Sequence, residues 1–203
     1  ALKPDYLGFI FYPKSKRFML NSLHPSDLKT IPNTIEKIGV FVNETVASVV
    51  NKIKSYQLNG VQLHGNETIE WLADFTAQLK DNSIVNQVKI IKAFGVDEEF
   101  NFNELNDYKQ YCSYFLFDTK TPNYGGSGRK FNWSVLKKYD NEVPLFLSGG
   151  LSVDDIETVF NMESLNIHAI DMNSQLEIEP GLKDISKVEE AISLTRVITS
   201  TKR

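Results

Sequence analysis

Short apolar runs recur along the chain, and each is too short for a helix and rich in Val, Ile and Phe. Most of them are continuous rather than alternating, which is typical of strands covered on both faces of a parallel sheet. The pattern predicts seven buried strands, at residues 6–11, 38–42, 61–64, 88–94, 114–117, 144–147 and 168–172.

Between these runs the apolar residues recur with the helical period. The stripes comprise Val46, Val49, Val50 and Ile53, then Ile69, Leu72, Ala73 and Leu79, and finally Ile185, Val188, Ile192 and Thr195. Asn43, Asn132 and Ser152 are residues that cap helices well, and Asp155 follows Ser152 at the spacing of a capping box. We therefore expect strands and helices to alternate throughout, with the last helix starting near Asp184.

This alternation with short connections predicts a parallel α/β protein, either a doubly wound open sheet or a (β/α) barrel. The pattern alone does not choose between them. An eight-stranded barrel takes about 250 residues, so seven strands in 203 residues fit a barrel that lacks its first strand. No Pro/Gly/Ser-rich linker divides the sequence, and we expect one domain over residues 1–203.

Composition narrows the classes of partner. With 22 Lys and Arg against 26 Asp and Glu, the net charge is −4, and nucleic acid is not an expected partner. Cys112 is the single cysteine and the three histidines are scattered, so neither a disulfide nor a metal site is predicted. The chain has no membrane-length apolar run and no signal peptide, so we expect a cytoplasmic protein.

In both candidate architectures the functional groups gather at the carboxyl ends of the strands. Ser148-Gly149-Gly150 and Asn173-Ser174 follow the sixth and seventh predicted strands. They resemble a phosphate site, because backbone N–H groups with no Cβ in the way can approach phosphate oxygens closely. The alternative for the two glycines is a tight turn.

The long connection over residues 118–132 contains Gly125, Gly126, Ser127 and Gly128. A loop so rich in glycine can close over a ligand, and the alternative is a plain flexible turn. It is not a Walker loop, because no Gly-Lys-Ser/Thr follows.

Three charged or polar side chains at strand ends are further candidates. Asp118 ends the fifth strand, where a partly desolvated carboxylate can act as an acid; its alternative is a turn residue. His64 ends the third strand and either binds a ligand or is a polar terminus. The planar guanidinium of Arg17 suits a carboxylate or a phosphate, although it follows two lysines and could equally be a surface cation.

Six groups of residues, in order along the whole chain, resemble phosphoribosylanthranilate isomerase. They are LGFIFYPKSKR at 7–17; VFVN at 40–43; VQLHG at 61–65; LFDTK at 116–120 with GGSG at 125–128 and FNW at 131–133; LSGGL at 147–151; and AIDMNS at 169–174 with Glu177, 180–181 and 183–184. The resemblance implies a (β/α)8 TIM barrel of tryptophan biosynthesis. It also implies an Amadori rearrangement of N-(5-phosphoribosyl)anthranilate to 1-(2-carboxyphenylamino)-1-deoxyribulose 5-phosphate, with no cofactor or metal.

The resemblance also implies roles for single residues. Asp118 corresponds to the general acid that protonates the ribose ring oxygen and opens the ring to a Schiff base. Arg17 corresponds to the group that binds the anthranilate carboxylate, and His64 lies close to the substrate. Asp171 would orient the acid or the ribose hydroxyls.

The remaining implied contacts concern the phosphate and the lid. Gly149, Gly150, Asn173 and Ser174 would bind phosphate, and the Gly125, Gly126, Ser127 and Gly128 loop would act as the lid. The expected partner is therefore a small phosphoribosyl substrate, bound by a monomer.

Two departures from the family pattern stand out. The opening strand of the form Lys-x-Cys-Gly, whose cysteine is the general base, would precede Ala1. Cys112 does not replace it, because it lies just before the fifth strand and is expected to be a small buried residue. Gln175 stands where the family commonly has Gly. The alternatives are another sugar-phosphate barrel enzyme, or a non-catalytic or truncated phosphate-binding barrel.

Overall fold

A computed structural model describes residues 2–21, 23–84, 87–121 and 130–201. Contacts between Cα atoms group the chain into two compact units. The amino-terminal unit takes its described residues from 4–93 and 103–115, and the carboxy-terminal unit from 1–3, 94–102 and 116–203. One domain over residues 1–203 stays a prediction.

The amino-terminal unit is built on parallel strands that pair in the order of the sequence. They are β1 (Tyr6–Ile10), β2 (Glu36–Phe41), β3 (Gly60–Leu63) and the first part of β4 (Lys89–Val96). Tyr6 pairs with Glu36, and Gly60 pairs with Lys89. The first four predicted strands are thereby confirmed.

Helices α1 (Pro25–Leu28), α2 (Val46–Tyr56) and α3 (Ile69–Asp81) connect these strands. The predicted apolar stripe of α2 faces the core, where Val49 is fully buried. On α3 the predicted Leu72 and Leu79 are buried, but Ala73 is exposed and Phe75 packs into the core instead. The residue type of Asn43 predicted that it would be the N-cap of α2. It is not the cap, because its own φ is +52°. Thr45 takes that place and its hydroxyl accepts from the Ser48 backbone N–H at 3.3 Å.

The carboxy-terminal unit contains the end of β4 followed by β5 (Tyr114–Thr119), β6 (Leu145–Leu147) and β7 (Ile167–Ile170), hydrogen-bonded in that order. Leu147 pairs with Ile170. A short antiparallel hairpin follows, formed by β8 (Glu177–Glu179) and β9 (Leu182–Lys183). The three later predicted strands are confirmed as well.

The strict alternation of strand and helix is wrong in two connections. The segment after β4 contains the 3₁₀ helix Phe102–Tyr108, and the segment after β5 contains the 3₁₀ helix Trp133–Lys138. The α-helices described in this unit are α4 (Ile156–Phe160) and α5 (Ile185–Thr201). The caps at Asn132 and Ser152 are confirmed, although each starts a 3₁₀ helix rather than an α-helix. Helical periodicity does not distinguish a 3₁₀ segment of one or two turns from an α-helix.

Each unit has an aromatic contact at its core. In the amino-terminal unit the rings of Phe11 and Phe41 stack with centroids 5.1 Å apart. In the carboxy-terminal unit Phe117 meets Tyr139 edge to face at 5.1 Å, and burial raises the pKa of the Tyr139 hydroxyl. These rings pack at or directly beside the carboxyl halves of β1, β2 and β5, which fixes the strand ends that carry the polar residues.

Cys112 is half-buried and packs against the core of the amino-terminal unit. Burial raises the pKa of its thiol to about 12, so the group is protonated at neutral pH. The expectation that Cys112 is not a catalytic base agrees with this protonation state. Within the described ranges, none of the helices combines the length and apolar character needed to cross a membrane.

Candidate functional site

Asp118 and Asp171 both lie at carboxyl ends of strands in the carboxy-terminal unit. Asp118 is the next-to-last residue of β5, and its Oδ1 accepts a hydrogen bond from the Thr119 backbone N–H at 2.7 Å. Asp171 directly follows β7, and its Oδ2 accepts from the Ser148 hydroxyl at 3.2 Å. Ser148 thereby connects the end of β6 to the end of β7.

Gly149 brings the connection after β6 against the end of β5. Its φ is +98°, a conformation that favours glycine. A Cβ on residue 149 would lie 2.5 Å from Thr119 Oγ1 and 3.1 Å from Asp118 Oδ1. There is therefore no room for a side chain at residue 149. The next residue, Gly150, also has a positive φ, +65°.

Asn173 and Ser174, the other predicted phosphate residues, are held by the hairpin that follows them. The Lys183 ammonium donates to the Asn173 carbonyl at 3.1 Å and also to the Asn173 side-chain oxygen. The same ammonium pairs with Glu177 Oε1 at 3.0 Å. Because Lys183 occupies the carboxamide oxygen, Asn173 presents its NH₂ group as a donor, the polarity that suits an anion.

Sequence reasoning assigned no role to Lys183. The signal was the Glu177 and Lys183 pair on two adjacent short strands, since opposite charges on neighbouring strands attract. Glu177 is only 4% exposed at its side chain and also accepts from the Gly181 backbone N–H at 3.1 Å. This cluster orders the turn that carries Asn173 and Ser174.

In the amino-terminal unit, Arg17 follows β1 and is half-buried. Its backbone N–H donates to the Ser15 hydroxyl at 3.1 Å, and the next residue, Phe18, bridges to Ile10 at the end of β1. The neighbouring Lys14 and Lys16 are exposed. Arg17 is therefore the partly desolvated cation of this basic loop.

His64 follows β3, and its ring has a defined partner. Its Nδ1 lies 2.9 Å from Gln62 Nε2, and Gln62 is buried. An amide NH₂ is a donor, so Nδ1 accepts, and the neutral ring carries its proton on Nε2. His64 therefore presents an N–H donor at Nε2.

A buried ion pair lies next to His64, and sequence reasoning missed it. Lys92 of β4 and Glu67, in the loop after β3, approach to 3.1 Å, with side chains 3% and 1% exposed. Burial lowers the pKa of Lys92, and the Glu67 carboxylate opposes that shift. The available signal was Lys92, one of two lysines inside the otherwise apolar run 88–94.

The proposed lid residues Gly125, Gly126, Ser127 and Gly128 lie outside the described residues. Over the ranges that are described, no three His, Cys, Asp or Glu side chains form a group that could hold a metal ion.

Comparison with known proteins adds a family to this geometry. A family model described as N-(5'phosphoribosyl)anthranilate (PRA) isomerase matches residues 1–193. A protein of Parabacteroides distasonis named N-(5'-phosphoribosyl)anthranilate isomerase is 40% identical over 195 residues, which are 95% of this chain and 84% of the relative.

Solved structures agree. One is a phosphoribosyl anthranilate isomerase in complex with reduced 1-(o-carboxyphenylamino)-1-deoxyribulose 5-phosphate, with a TM-score of 0.75 and 30% identity over 95% of this chain and 88% of that one. Another contains monomers generated from the dimeric enzyme of Thermotoga maritima, with a TM-score of 0.70, 31% identity and the same coverage, 95% and 88%. These matches confirm the expected fold class, an α/β barrel of the TIM type. A monomeric state for this chain stays a prediction.

Proposed function

Since the chain belongs to the N-(5'-phosphoribosyl)anthranilate isomerase family, we propose that it rearranges N-(5-phosphoribosyl)anthranilate with Asp118 as the general acid. The observation that supports this role is the position of the Asp118 carboxyl group, whose Oδ1 accepts from the Thr119 N–H next to a residue that has no side chain, while Oδ2 can carry the proton. A fixed acid beside an open backbone can reach a substrate atom without reorganisation.

The first chemical step follows from this placement. Asp118 donates its proton to the ring oxygen of the ribose, and the bond from that oxygen to C1′ breaks. The lone pair of the anthranilate nitrogen forms the C1′=N bond, which gives the Schiff base. Loss of the C2′ proton then leads to the amino ketone product; the family pattern assigns that proton to a cysteine in the motif Lys-x-Cys-Gly, which does not occur in residues 1–203.

Asp171 is proposed to orient the ribose hydroxyls. Its Oδ2 already accepts the Ser148 hydroxyl, so a second donor from the substrate would meet a carboxylate whose position is fixed. A carboxylate offers about four acceptor sites, which leaves capacity for such a bond.

The phosphate is proposed to bind to backbone and amide donors after β6 and β7. Gly149 and Gly150 have no side chains, and both have positive φ values. In such a conformation consecutive backbone N–H groups can form an anion-binding concavity. Asn173 contributes its NH₂ group and Ser174 contributes the first N–H of a 3₁₀ turn, while Lys183, which is paired with Glu177, holds Asn173 in place. The lid role of residues 125–128 stays a prediction.

Arg17 and His64 are proposed to bind the anthranilate part of the substrate. The guanidinium of Arg17 matches a carboxylate in a planar, two-bond geometry. The Nε2–H group of His64 is a neutral donor, which suits an acceptor on the substrate without adding a second full charge.

Conversion of N-(5-phosphoribosyl)anthranilate by the full-length protein tests this function. The product is identified by chromatography against reduced and unreduced 1-(2-carboxyphenylamino)-1-deoxyribulose 5-phosphate. We expect turnover that a metal chelator does not change, because every proposed step uses side chains and backbone groups alone. Failure to convert this substrate, with analogue binding also absent, would contradict the proposal.

A further inference from the structure

The Glu67–Lys92 pair is the most deeply buried charged feature among the described residues of the amino-terminal unit. The Lys92 ammonium has four oxygen neighbours: Glu67 Oε2 at 3.1 Å and the carbonyl oxygens of Leu63 at 3.2 Å, Gly65 at 2.8 Å and Ala93 at 3.1 Å. Every hydrogen of the ammonium thus has an acceptor.

The Glu67 carboxylate is equally engaged. Its Oε1 accepts from the Asn43 backbone N–H at 2.9 Å, and its Oε2 accepts from the Gly65 N–H at 3.0 Å. A Cβ on Gly65 would lie 2.7 Å from Glu67 Oε1 and 2.4 Å from Asn43 Oδ1, so the loops after β2 and β3 touch at this point. The pair therefore joins two loops to β4.

These contacts enclose His64 on both sides along the chain. Lys92 holds the carbonyl of Leu63, which precedes it, and the pair holds both the N–H and the carbonyl of Gly65, which follows it. Gln62 fixes the ring from within β3. Backbone and ring of His64 are thus constrained independently.

Stability alone is a weak reason for such a pair. Taking two charges out of water is costly, and replacing a buried ion pair by apolar residues is often neutral or stabilising. A pair that holds two loops in one arrangement does have a use where a side chain between them has to meet a ligand in a fixed geometry.

We infer that Glu67 and Lys92 are positioning residues, which hold His64 in the arrangement that substrate binding requires. The inference rests on the proposed role of His64 in the isomerase reaction. Neither residue contacts substrate in this account; both act through the segment from Leu63 to Gly65.

The test uses the neutral double variant Glu67→Gln/Lys92→Met, which keeps the side-chain volumes and leaves no unpaired charge. We expect it to melt cooperatively. We expect its KM, and its dissociation constant for reduced 1-(o-carboxyphenylamino)-1-deoxyribulose 5-phosphate, to rise by about 10- to 100-fold, as for lost orienting contacts elsewhere. The kcat per folded molecule should change little.

The matched control is Glu36→Gln/Lys89→Met. This pair also joins a glutamate to a lysine of β4, at 2.5 Å, but near the amino ends of β2 and β4. A purely structural role predicts that both double variants lose stability or folded fraction with KM unchanged. The inference predicts a rise in KM for the Glu67 variant alone.

Single-site variants separate the role of His64 in substrate binding from the positioning role of Glu67 and Lys92. Glu67→Gln by itself, which retains an acceptor oxygen, should raise KM in the same direction. His64→Ala should raise KM, and its effect should be smaller in the Glu67→Gln/Lys92→Met background, because sites that act together are not additive. If His64→Ala leaves KM unchanged, the proposed role of His64 fails. If it raises KM while the double variant does not, only the positioning role is overturned.

Discussion

The backbone of Gly149 approaches Asp118 so closely that a Cβ on residue 149 would lie 3.1 Å from Asp118 Oδ1 and 2.9 Å from the Thr119 nitrogen. The proposed acid and the glycine after β6 thus depend on each other. A side chain at this glycine would move the very N–H group that holds the carboxylate.

Gly149→Ala is therefore expected to impair catalysis as well as stability. An alanine at a positive φ costs about 1 kcal/mol, and here its Cβ also collides with Thr119. We expect kcat to fall by at least about 10-fold, because even a small displacement of a catalytic group lowers the reaction rate strongly. Steady-state kinetics and a melting curve measure the two effects.

Gly181→Ala is the control for that substitution. Gly181 has nearly the same φ, +94°, but nothing lies within 4 Å of an added Cβ. We expect a similar loss of stability from the backbone with kcat unchanged. Equal kcat in the two alanine variants would show that crowding near Asp118 does not affect the reaction.

Asp118→Asn tests the general acid directly. An amide has nearly the same shape but cannot supply the proton, and general acids contribute roughly 10²- to 10⁴-fold. We expect kcat to fall by at least about 10²-fold with little change in KM. Asp97→Asn, at an aspartate that pairs with Lys120 at 2.6 Å in the same unit, should retain normal kcat. A near-normal kcat for Asp118→Asn would remove this residue from the mechanism.

Arg17→Ala is expected to weaken substrate capture. Hydrogen bonds to charged groups contribute about 1.5–3 kcal/mol, so kcat/KM should fall by about 10- to 100-fold. Lys16→Ala removes an exposed charge one residue away and should have a small effect. Equal losses in the two variants would indicate that the loop acts through net charge rather than through the Arg17 guanidinium.

Lys183→Met releases Asn173 from its two contacts with the ammonium. We expect KM, and the inhibition constant of inorganic phosphate, to rise by roughly 10-fold, the effect of losing one to two hydrogen bonds. The kcat should change little, since the phosphate does not react. Lys187→Met removes an exposed charge of α5 and serves as the control. Unchanged phosphate inhibition in Lys183→Met would reject the proposed phosphate turn.

The strands could be predicted because their signal is local. Runs such as 38–42 and 144–147 are apolar over their whole length, and so short a continuous run is typical of a strand buried on both faces. The 3₁₀ geometry of the segments after β4 and β5 could not be predicted, because residues 102–108 and 133–138 are short and bury few side chains.

The site divides in the same way. Asp118 and Gly149 could be proposed from position alone, since each lies at or just after the end of a recognisable strand. Asp171 was proposed only through the resemblance to the family. Lys92 and Glu67 could not be proposed, because the partners are far apart along the chain and a lysine within an apolar run does not reveal its acceptor. Asn43 was mistaken for a helix cap because the residue type is right, while its left-handed backbone and its bond to the Asn66 N–H arise only from the folded loops.

Burial raises the pKa of the half-buried Cys112 thiol to about 12, so we expect it to react slowly in the folded protein and faster when the structure around it opens. As the single cysteine of these 203 residues, it offers a native probe of local unfolding. The rate at which a disulfide reagent modifies Cys112 at neutral pH reports how often the core around this residue in the amino-terminal unit becomes exposed.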